Sequence, residues 1–298
     1  MNIFLENINI SSNSGPNSFA RKLVPELQNL DCNFTALSDS NVGLCFIESS
    51  ISDKISVPRA LRLDGIYFNT SQDYKLQNRN IERTYHLSEG IIYQSNFNKQ
   101  LIETYFGESK KSIIIHNGAD INSINQTTPM STKGDGDVWC CAAHWRPHKR
   151  LSDNIRYFME HKKENDILIV AGEVADSDKV KDSNIAYFGK LTQKQLYSVY
   201  KSAKYFIHLS WLDHCPNVVV DARAAGCHII CSSAGGTREI AGLNSTIIEE
   251  EEWDFKPINL YNPPKLNFQR KVKNNYDSCY NITEVAHLYK QFLEKLCQ

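Results

Sequence analysis

The chain has 298 residues, a length that suggests two domains of about 150 residues each. Its 33 basic and 34 acidic residues leave a net charge of −1, which excludes a strong overall attraction to nucleic acid or to an anionic membrane. The apolar runs are far shorter than the roughly 18 residues that a membrane span needs, and the N-terminal residues lack the basic region of a signal peptide.

The cysteines indicate a reducing compartment. The sequence contains nine of them, an odd number, and no C-x-x-C pair occurs. A disulfide framework or a zinc ribbon is therefore disfavoured, and we expect buried free thiols in a cytoplasmic protein.

Strand-like and helix-like segments alternate through residues 1–120. Predicted strands cover residues 2–8, 34–37, 44–48, 60–63, 91–94 and 112–116. Predicted helices run from the polar loop at 11–18 to residue 29, and cover residues 80–88 and 97–106. This alternation with short connections predicts a Rossmann-like domain with a parallel, doubly wound sheet.

A second alternating region follows a break in the pattern. Residues 121–137 lack periodicity and are rich in polar residues, so they are predicted as a linker. Predicted strands then cover residues 138–143, 167–171, 185–188, 205–209 and 228–232, with helices at 151–161, 192–203 and 217–225. We therefore predict a second Rossmann-like domain at residues 138–281, and a helix over residues 282–296. One face of that helix is apolar and carries Ile282, Val285, Leu288, Tyr289, Phe292 and Leu296.

The segment with the most chemical information is residues 210–240, SWLDHCPNVVVDARAAGCHIICSSAGGTREI. Asp213 falls in the loop after a predicted strand, Pro216 suits the first turn of a helix, and Asp221 follows eight residues after Asp213. A helix N-terminus at the carboxyl edge of a parallel sheet attracts phosphate, and an acid one turn later suits ribose hydroxyls. From these features alone, a phosphorylated-ligand site and a capping Asp213 with a solvated Asp221 are equally good interpretations.

This segment resembles the C-terminal signature of retaining glycosyltransferases of family 4. Asp213 and Asp221 occupy its two acid positions, where glutamate is commoner, and Gly226 and residues 235–240 match the elements that follow. The resemblance implies the GT-B fold, in which two Rossmann-like domains face a cleft. It also implies that the C-terminal helix, within 282–298, packs back on the N-terminal domain.

Weaker matches follow in the expected order along the chain. Residues 14–17 resemble the glycine loop beneath the donor diphosphate, and residues 62–65, with Asp64, resemble the strand end that reaches the sugar. An Asp64 that only stabilises the turn before Gly65 is an equally good interpretation. Residues 93–95 with 117–120 are similar to the strand and turn that close the first domain.

Two further matches lie in the second half. Residues 145–150, WRPHKR, resemble the basic loop that neutralises the diphosphate, although Arg146 and Lys149 are closer together than the usual pair. Residues 188–191, with Lys190, are similar to the turn that cups the base.

The resemblance implies transfer of a hexose from a nucleotide-sugar donor to a glycan or glycolipid hydroxyl. GDP-mannose is the first expected donor and UDP-glucose the second. The implied catalytic residues are Arg146, Lys149, Asp213 and Asp64. The implied substrate-binding residues are Gly15, Pro16, Lys190, Cys215, Asn217, Val218 and Asp221. No cofactor and no essential divalent metal are expected.

Other interpretations stay open. Aspartate at both acid positions also suits a nucleotide-sugar-binding module with weak or no transfer activity, and WRPHKR also suits a nucleic-acid patch. The two D-x-D pairs, at 135–137 and 176–178, are expected to be incidental rather than metal-binding. His86 and His208 are expected to be ordinary helix and strand residues, and residues 249–252 a solvated acidic loop.

Overall fold

The computed structural model describes residues 1–12, 14–51, 55–109, 111–132 and 134–298. They form two compact units. The first comprises Met1–Ala119, Asp254–Ile258 and Cys279–Gln298, and the second comprises Asp120–Trp253 and Asn259–Ser278. Across these described ranges, none of the helices is long and apolar enough to cross a bilayer.

Strands and helices alternate along both units. The strands are β1 (Asn2–Glu6), β2 (Asn33–Phe34), β3 (Val42–Phe46), β4 (Arg59–Leu63), β5 (Gly90–Tyr93), β6 (Ser112–Ile114), β7 (Val138–Ala142), β8 (Ile167–Ala171), β9 (Ile185–Gly189), β10 (Tyr205–His208), β11 (His228–Ser232), β12 (Thr246–Ile248) and β13 (Lys271–Val272). The helices are α1 (Gly15–Asn29), α2 (Tyr74–His86), α3 (Asn96–Phe106), α4 (Ile121–Gln126), α5 (Leu151–His161), α6 (Gln193–Ser202), α7 (Asn217–Ala224), α8 (Thr237–Ile240) and α9 (Ile282–Leu296).

The first unit is built on a parallel sheet with the strand order β2-β1-β3-β4-β5-β6. The apolar face of α9 joins the core between this sheet and α1. Two glycines permit its close approach, since a Cβ at Gly90 would lie 2.8 Å from the Phe292 ring and one at Gly118 would lie 2.7 Å from the Ile282 Cα. Leu288, predicted on the buried face, is 36% exposed, whereas Leu293 is buried.

The second unit has the strand order β13-β12-β11-β10-β7-β8-β9, parallel except for the β12–β13 pair. Its core lies between the sheet and the flanking helices and includes Trp139, Phe158 and Leu168. Because β7, β10 and β11 are parallel neighbours, the loops that follow them leave from the same edge of the sheet. The α/β fold class with two parallel-sheet domains is therefore confirmed.

Several local predictions differ from the structure. Helix α2 begins at Tyr74 rather than at residue 80, because the Asp73 side chain accepts a hydrogen bond from the Leu76 N–H, 3.0 Å, and caps the helix six residues earlier. The region predicted as linker contains α4, whose N-terminus is capped in the same way by Asp120, and α4 packs against α6 and α7. β2 ends at Phe34 because residues 37–39 form a 3-10 turn.

Candidate functional site

A shielded ion pair lies at the carboxyl edge of the second sheet. The Lys149 Nζ is 2.5 Å from the Asp213 Oδ2, and the two side chains are 19% and 13% exposed. Lys149 ends the 3-10 turn Pro147–Lys149, which follows β7, and Asp213 lies in the loop after β10. The structure thus brings together two predicted site residues that are 64 positions apart, because their loops leave neighbouring parallel strands.

His208 also binds Asp213. It is the last residue of β10, and its Nε2 lies 3.0 Å from the same carboxylate oxygen that Lys149 contacts. The backbone N–H of His214 donates to the other oxygen, Oδ1, at 3.0 Å. Since an ionised carboxylate only accepts hydrogen bonds, the Nε2 of His208 carries the proton. The sequence pattern indicated only a strand position for His208, and the available signal was a polar residue at the end of a buried strand.

The charges in this cluster are fixed by burial and by Lys149. Burial raises the pKa of Asp213, but the Lys149 ammonium and the His208 hydrogen bond outweigh burial and hold that pKa well below its usual range. Burial lowers the pKa of His208, although Asp213 opposes this. Burial also lowers the pKa of His148 to about 3, with Lys149 lowering it further. At neutral pH Asp213 is therefore a carboxylate, and the imidazoles of His208 and His148 are neutral.

The backbone beside both charged residues is strained. Arg150, directly after Lys149, has a φ of 52°, and Leu212, directly before Asp213, has a φ of 55°. A left-handed conformation costs a non-glycine residue about 1–3 kcal/mol and persists only where the surroundings hold it in place. The Asp213 loop is held by the two glycines of the GGTREI run.

Gly235 and Gly236 lie in the loop after β11 and contact the backbone of Asp213. The Gly236 N–H donates to the Asp213 carbonyl oxygen, 2.7 Å. Gly235 has a φ of +89°, and a Cβ at this position would lie 2.6 Å from the same oxygen. Only a residue without a side chain fits this close approach, which explains the glycine on physical grounds.

Helix α7 begins four residues after Asp213 and contains Asp221. The predicted binding residues Asn217 and Val218 form its first turn, and Cys215 is buried just before it. The N-terminus of a helix is its positive end, so this edge of the sheet suits an anion. Asp221 is 7% exposed, and its charge adds to burial in raising the pKa of Tyr197 on α6. Asp221 is thus not the solvated residue of the alternative interpretation.

Arg146 and Lys190 stand apart from the ion pair. Both are exposed, and the ion pairs that Asp213 forms among the described residues are with Lys149 and His208. Lys190 follows β9, the edge strand two places from β7, so the two loops are separated by about 10 Å at the usual strand spacing.

Asp64 belongs to a polar cluster in the first unit. Arg62 is fully buried because it lies in the central strand β4. Its guanidinium donates hydrogen bonds to Asp64 and to the Asn117 Oδ1, the latter at 2.8 Å. Its Nε donates to the Tyr289 hydroxyl at 3.0 Å. Gln94 at the end of β5 donates to the same Asp64 oxygen. Asp64 Oδ2 is buried and has no hydrogen-bond partner among the described residues.

Gly15 and Pro16 open helix α1 in the same unit. Gly15 is exposed, and a Cβ built there would meet nothing within 4 Å. Packing within the unit therefore does not require glycine at this helix N-terminus.

Aspartates of both D-x-D pairs contact nearby polar side chains. Asp137 precedes β7, at the sheet edge opposite Lys149, and pairs with Lys204 at 2.8 Å. Asp135 accepts from Asn165, and Asp176 pairs with Lys179 at 2.7 Å. Within the ranges that the structure describes, no group of three His, Cys, Asp or Glu residues suits a metal ion.

The acidic run at 249–252 is not a solvated loop throughout. The side chain of Glu250 is only 5% exposed and forms a bidentate ion pair with Arg150. The expectation of a fully solvated run is therefore wrong for Glu250, and neither partner of this pair was among the predicted site residues.

Comparisons with known proteins cover the region that contains these residues. Residues 129–254 match the family model described as glycosyl transferases group 1. Among curated proteins, none matches the sequence significantly.

Solved structures match the chain over nearly its full length. HepE of Anabaena, in complex with UDP and glucose, is 12% identical, with a TM-score of 0.69 over 99% of this chain and 100% of that one. AviGT4, a glycosyltransferase involved in avilamycin A biosynthesis, is 11% identical, with a TM-score of 0.65 over 99% and 98%. The sucrose-phosphate synthase of Thermosynechococcus elongatus is 9% identical, with a TM-score of 0.65 over 100% and 92%.

These findings agree on the fold and on the second unit. The chain has the α/β fold seen in solved GT-B glycosyltransferases. The segment that matches the group 1 glycosyltransferase model contains Lys149, Asp213 and α7. The prediction of a glycosyltransferase is confirmed at this level.

Proposed function

We propose that this protein is a retaining hexosyltransferase that uses a nucleotide-sugar donor and a glycan or glycolipid acceptor. The observation that carries the proposal is the Lys149–Asp213 ion pair at the carboxyl edge of the second sheet, beside the N-terminus of α7. Open α/β sheets bind phosphorylated ligands at this edge.

Lys149 is placed to stabilise the leaving diphosphate. An ammonium group has three N–H donors, and Asp213 accepts one of them, which leaves two for phosphate oxygens. The ion pair fixes the position of the charge before the donor binds, so little reorganisation is needed as negative charge develops on the leaving group. The α7 N-terminus adds its dipole, and the exposed Arg146, on the loop that carries Lys149, adds a positive charge.

Asp213 serves mainly to orient Lys149. A carboxylate offers about four acceptor positions, and Lys149, His208 and the His214 N–H already use three in this structure. One position remains for a hydroxyl of the transferred sugar. Asp221 is proposed to bind the ribose, and the backbone at Lys190 is proposed to bind the base.

In a retaining reaction of this kind the departing phosphate accepts the proton of the acceptor hydroxyl, so no strongly basic side chain is needed. The neutral state of the imidazoles around Asp213 is consistent with such a mechanism. Asp64, Gly15 and Pro16 are proposed to act from the first unit, Asp64 on the sugar and the glycine loop on the diphosphate.

Two donors deserve the first tests, GDP-mannose and UDP-glucose. The complex of HepE with UDP and glucose supports the uridine donor for a protein of the same fold. Calorimetry with both donors, and with their free nucleotide diphosphates, should give one saturable isotherm with one stoichiometric site. Nuclear magnetic resonance of the product formed in an acceptor screen should then show the anomeric configuration of the donor.

Each other outcome of that experiment has a clear meaning. Stoichiometric donor binding without transfer or hydrolysis would favour the binding-module alternative. No binding of any nucleotide sugar, together with salt-sensitive binding of an oligonucleotide through WRPHKR, would replace the proposal by nucleic-acid binding. An inverted product would refute the retaining mechanism alone.

We also propose that turnover needs no divalent metal, because Lys149, Arg146 and the N-terminus of α7 are the groups proposed to neutralise the diphosphate. Activity should survive excess EDTA at fixed ionic strength, with at most modest stimulation by Mg²⁺. Complete loss in EDTA that Mn²⁺ restores, and that Asp135→Ala or Asp176→Ala abolishes, would refute this part.

A further inference from the structure

A second, more deeply buried ion pair involves the residue that follows Lys149 in the chain. The next residue, Arg150, donates from its two terminal nitrogens to the two carboxylate oxygens of Glu250, at 2.8 and 2.6 Å. The side chains are 1% and 5% exposed, so water hardly reaches the pair. A bidentate arginine–carboxylate pair is directional, and it therefore fixes orientation as well as distance.

The Arg150 guanidinium also donates hydrogen bonds to the backbone of two loops that follow other strands. It donates to the Leu209 carbonyl oxygen, 3.3 Å, at the start of the loop that carries Asp213, and to the Pro264 carbonyl oxygen, 2.9 Å. It lies 5.9 Å from the ring centre of Trp211 in the same Asp213 loop. These contacts hold the left-handed backbone of Arg150 and therefore the direction in which the preceding Lys149 leaves the chain.

Glu250 connects the pair to the glycine-rich run. It accepts a hydrogen bond from the Ser232 hydroxyl at the end of β11, and its own N–H donates to the Ser233 hydroxyl, 2.8 Å. Residues 232 and 233 lead directly into Gly235, whose backbone lies against Asp213. The Arg150–Glu250 pair thus connects the loops that follow β7, β10, β11 and β12. Two of these loops carry Lys149 and Asp213, so the pair contacts the backbone on both sides of their ion pair.

We propose that Arg150 and Glu250 form a positioning pair that holds Lys149 against Asp213 for catalysis. This inference rests on the proposed function, in which Lys149 stabilises the leaving diphosphate. The competing explanation is that the pair only stabilises the fold, since removal of one partner of a buried pair is destabilising in general.

Glu250→Gln is the best perturbation, because glutamine keeps the volume but loses the charge and one of the two arginine hydrogen bonds. Arg150→Lys keeps the positive charge but loses the bidentate geometry, and it replaces Glu250→Gln if that variant folds poorly. Asp166→Asn is the matched control. Asp166 is a buried carboxylate of the same unit that accepts hydrogen bonds from Trp139 and two backbone N–H groups at the opposite sheet edge.

The first readout is a double-mutant cycle with Lys149→Ala, measured as kcat per folded molecule. Glu250→Gln should lower kcat by about tenfold with little change in KM, less than the roughly hundredfold that a 1 Å misplacement costs. In the Lys149→Ala background the same change should have no further effect on kcat, because the pair acts through Lys149. Asp166→Asn should lower the melting temperature and leave kcat unchanged.

The second readout does not depend on activity. Trace acetylation of the full chain with acetic anhydride, followed by mass spectrometry, reports the accessibility of the Lys149 amine, with Lys204 as an internal reference in its own ion pair. Glu250→Gln should accelerate labelling of Lys149 several-fold relative to Lys204, and Asp166→Asn should not. If the wild type neither binds nor turns over any donor, the proposed function fails while this readout still tests positioning. Unchanged Lys149 labelling, or an equal loss of kcat in both backgrounds, would overturn the positioning role.

Discussion

Gly235→Ala should displace Asp213 without removing any group from the site. The new Cβ would lie 2.6 Å from the Asp213 carbonyl oxygen and 2.8 Å from its backbone nitrogen, and these backbone atoms cannot rotate away. Restoring ordinary contact requires the two loops to separate by several tenths of an ångström. Because a 1 Å misplacement can cost about a hundredfold in rate, we expect kcat/KM to fall by about ten- to a hundredfold.

Gly226→Ala provides the matched control for this prediction. Gly226 has a φ of +96°, close to the +89° of Gly235, but a Cβ there would meet nothing within 4 Å. Both variants carry the left-handed strain of about 1–2 kcal/mol, so their melting temperatures should both fall. Only Gly235→Ala should lose activity beyond this shared destabilisation, with kcat/KM measured well below both melting temperatures. Equal activity of the two variants would show that the Asp213 backbone position does not matter.

Three further predictions concern the ligand, the C-terminal helix and acid stability. Asp221→Ala should raise the donor Kd by about ten- to a hundredfold, because a charge-assisted hydrogen bond to the ribose is worth roughly 1.5–3 kcal/mol; an unchanged calorimetric Kd removes Asp221 from the site. Ending the chain at Asn281 should unfold the first unit, since seven buried side chains of α9 are lost and each large one contributes about 1.5–3 kcal/mol of a domain stability near 5–15 kcal/mol; native hydrogen-exchange protection of β1–β6 in the truncated chain would contradict this. The folded-state pKa of Asp213 is depressed, so its carboxylate adds stability above its unfolded pKa of about 3.9 that is lost as the pH falls further. The free energy of unfolding, measured by urea denaturation at several pH values, should therefore fall less steeply toward acid pH in Asp213→Asn than in the wild type. An unchanged slope would argue against the ion pair.

The fold was predictable because its signals are local. Alternating apolar strands and capped helices, such as α6 with the capping box of Thr192 and Gln195, are properties of short segments, and the alternation appears as predicted. The start of α2 and the presence of α4 were not predicted. Each of these helices begins at a single aspartate cap inside a polar stretch that gives no periodic signal.

The candidate site was predictable only where a motif was contiguous. Asp213 and Gly235 lie in one recognisable run, whereas the partnership of Asp213 with His208 depends on the geometry at the end of β10. The Arg150–Glu250 pair spans 100 residues, and a glutamate within an acidic run looks solvated until the sheet order places it beside a buried arginine. Long-range pairing of this kind is set by strand order, which no single segment encodes.

The most direct test of the central claim compares Lys149→Ala with Lys204→Ala. Each lysine forms an ion pair with an aspartate of the second unit, at opposite edges of the same sheet. With the donor identified by calorimetry, Lys149→Ala should lower kcat by about a hundred- to a thousandfold while the donor Kd changes far less, because the charge on the diphosphate develops in the transition state. Lys204→Ala should leave both unchanged. A Lys149→Ala variant with the kcat of the wild type would contradict the account.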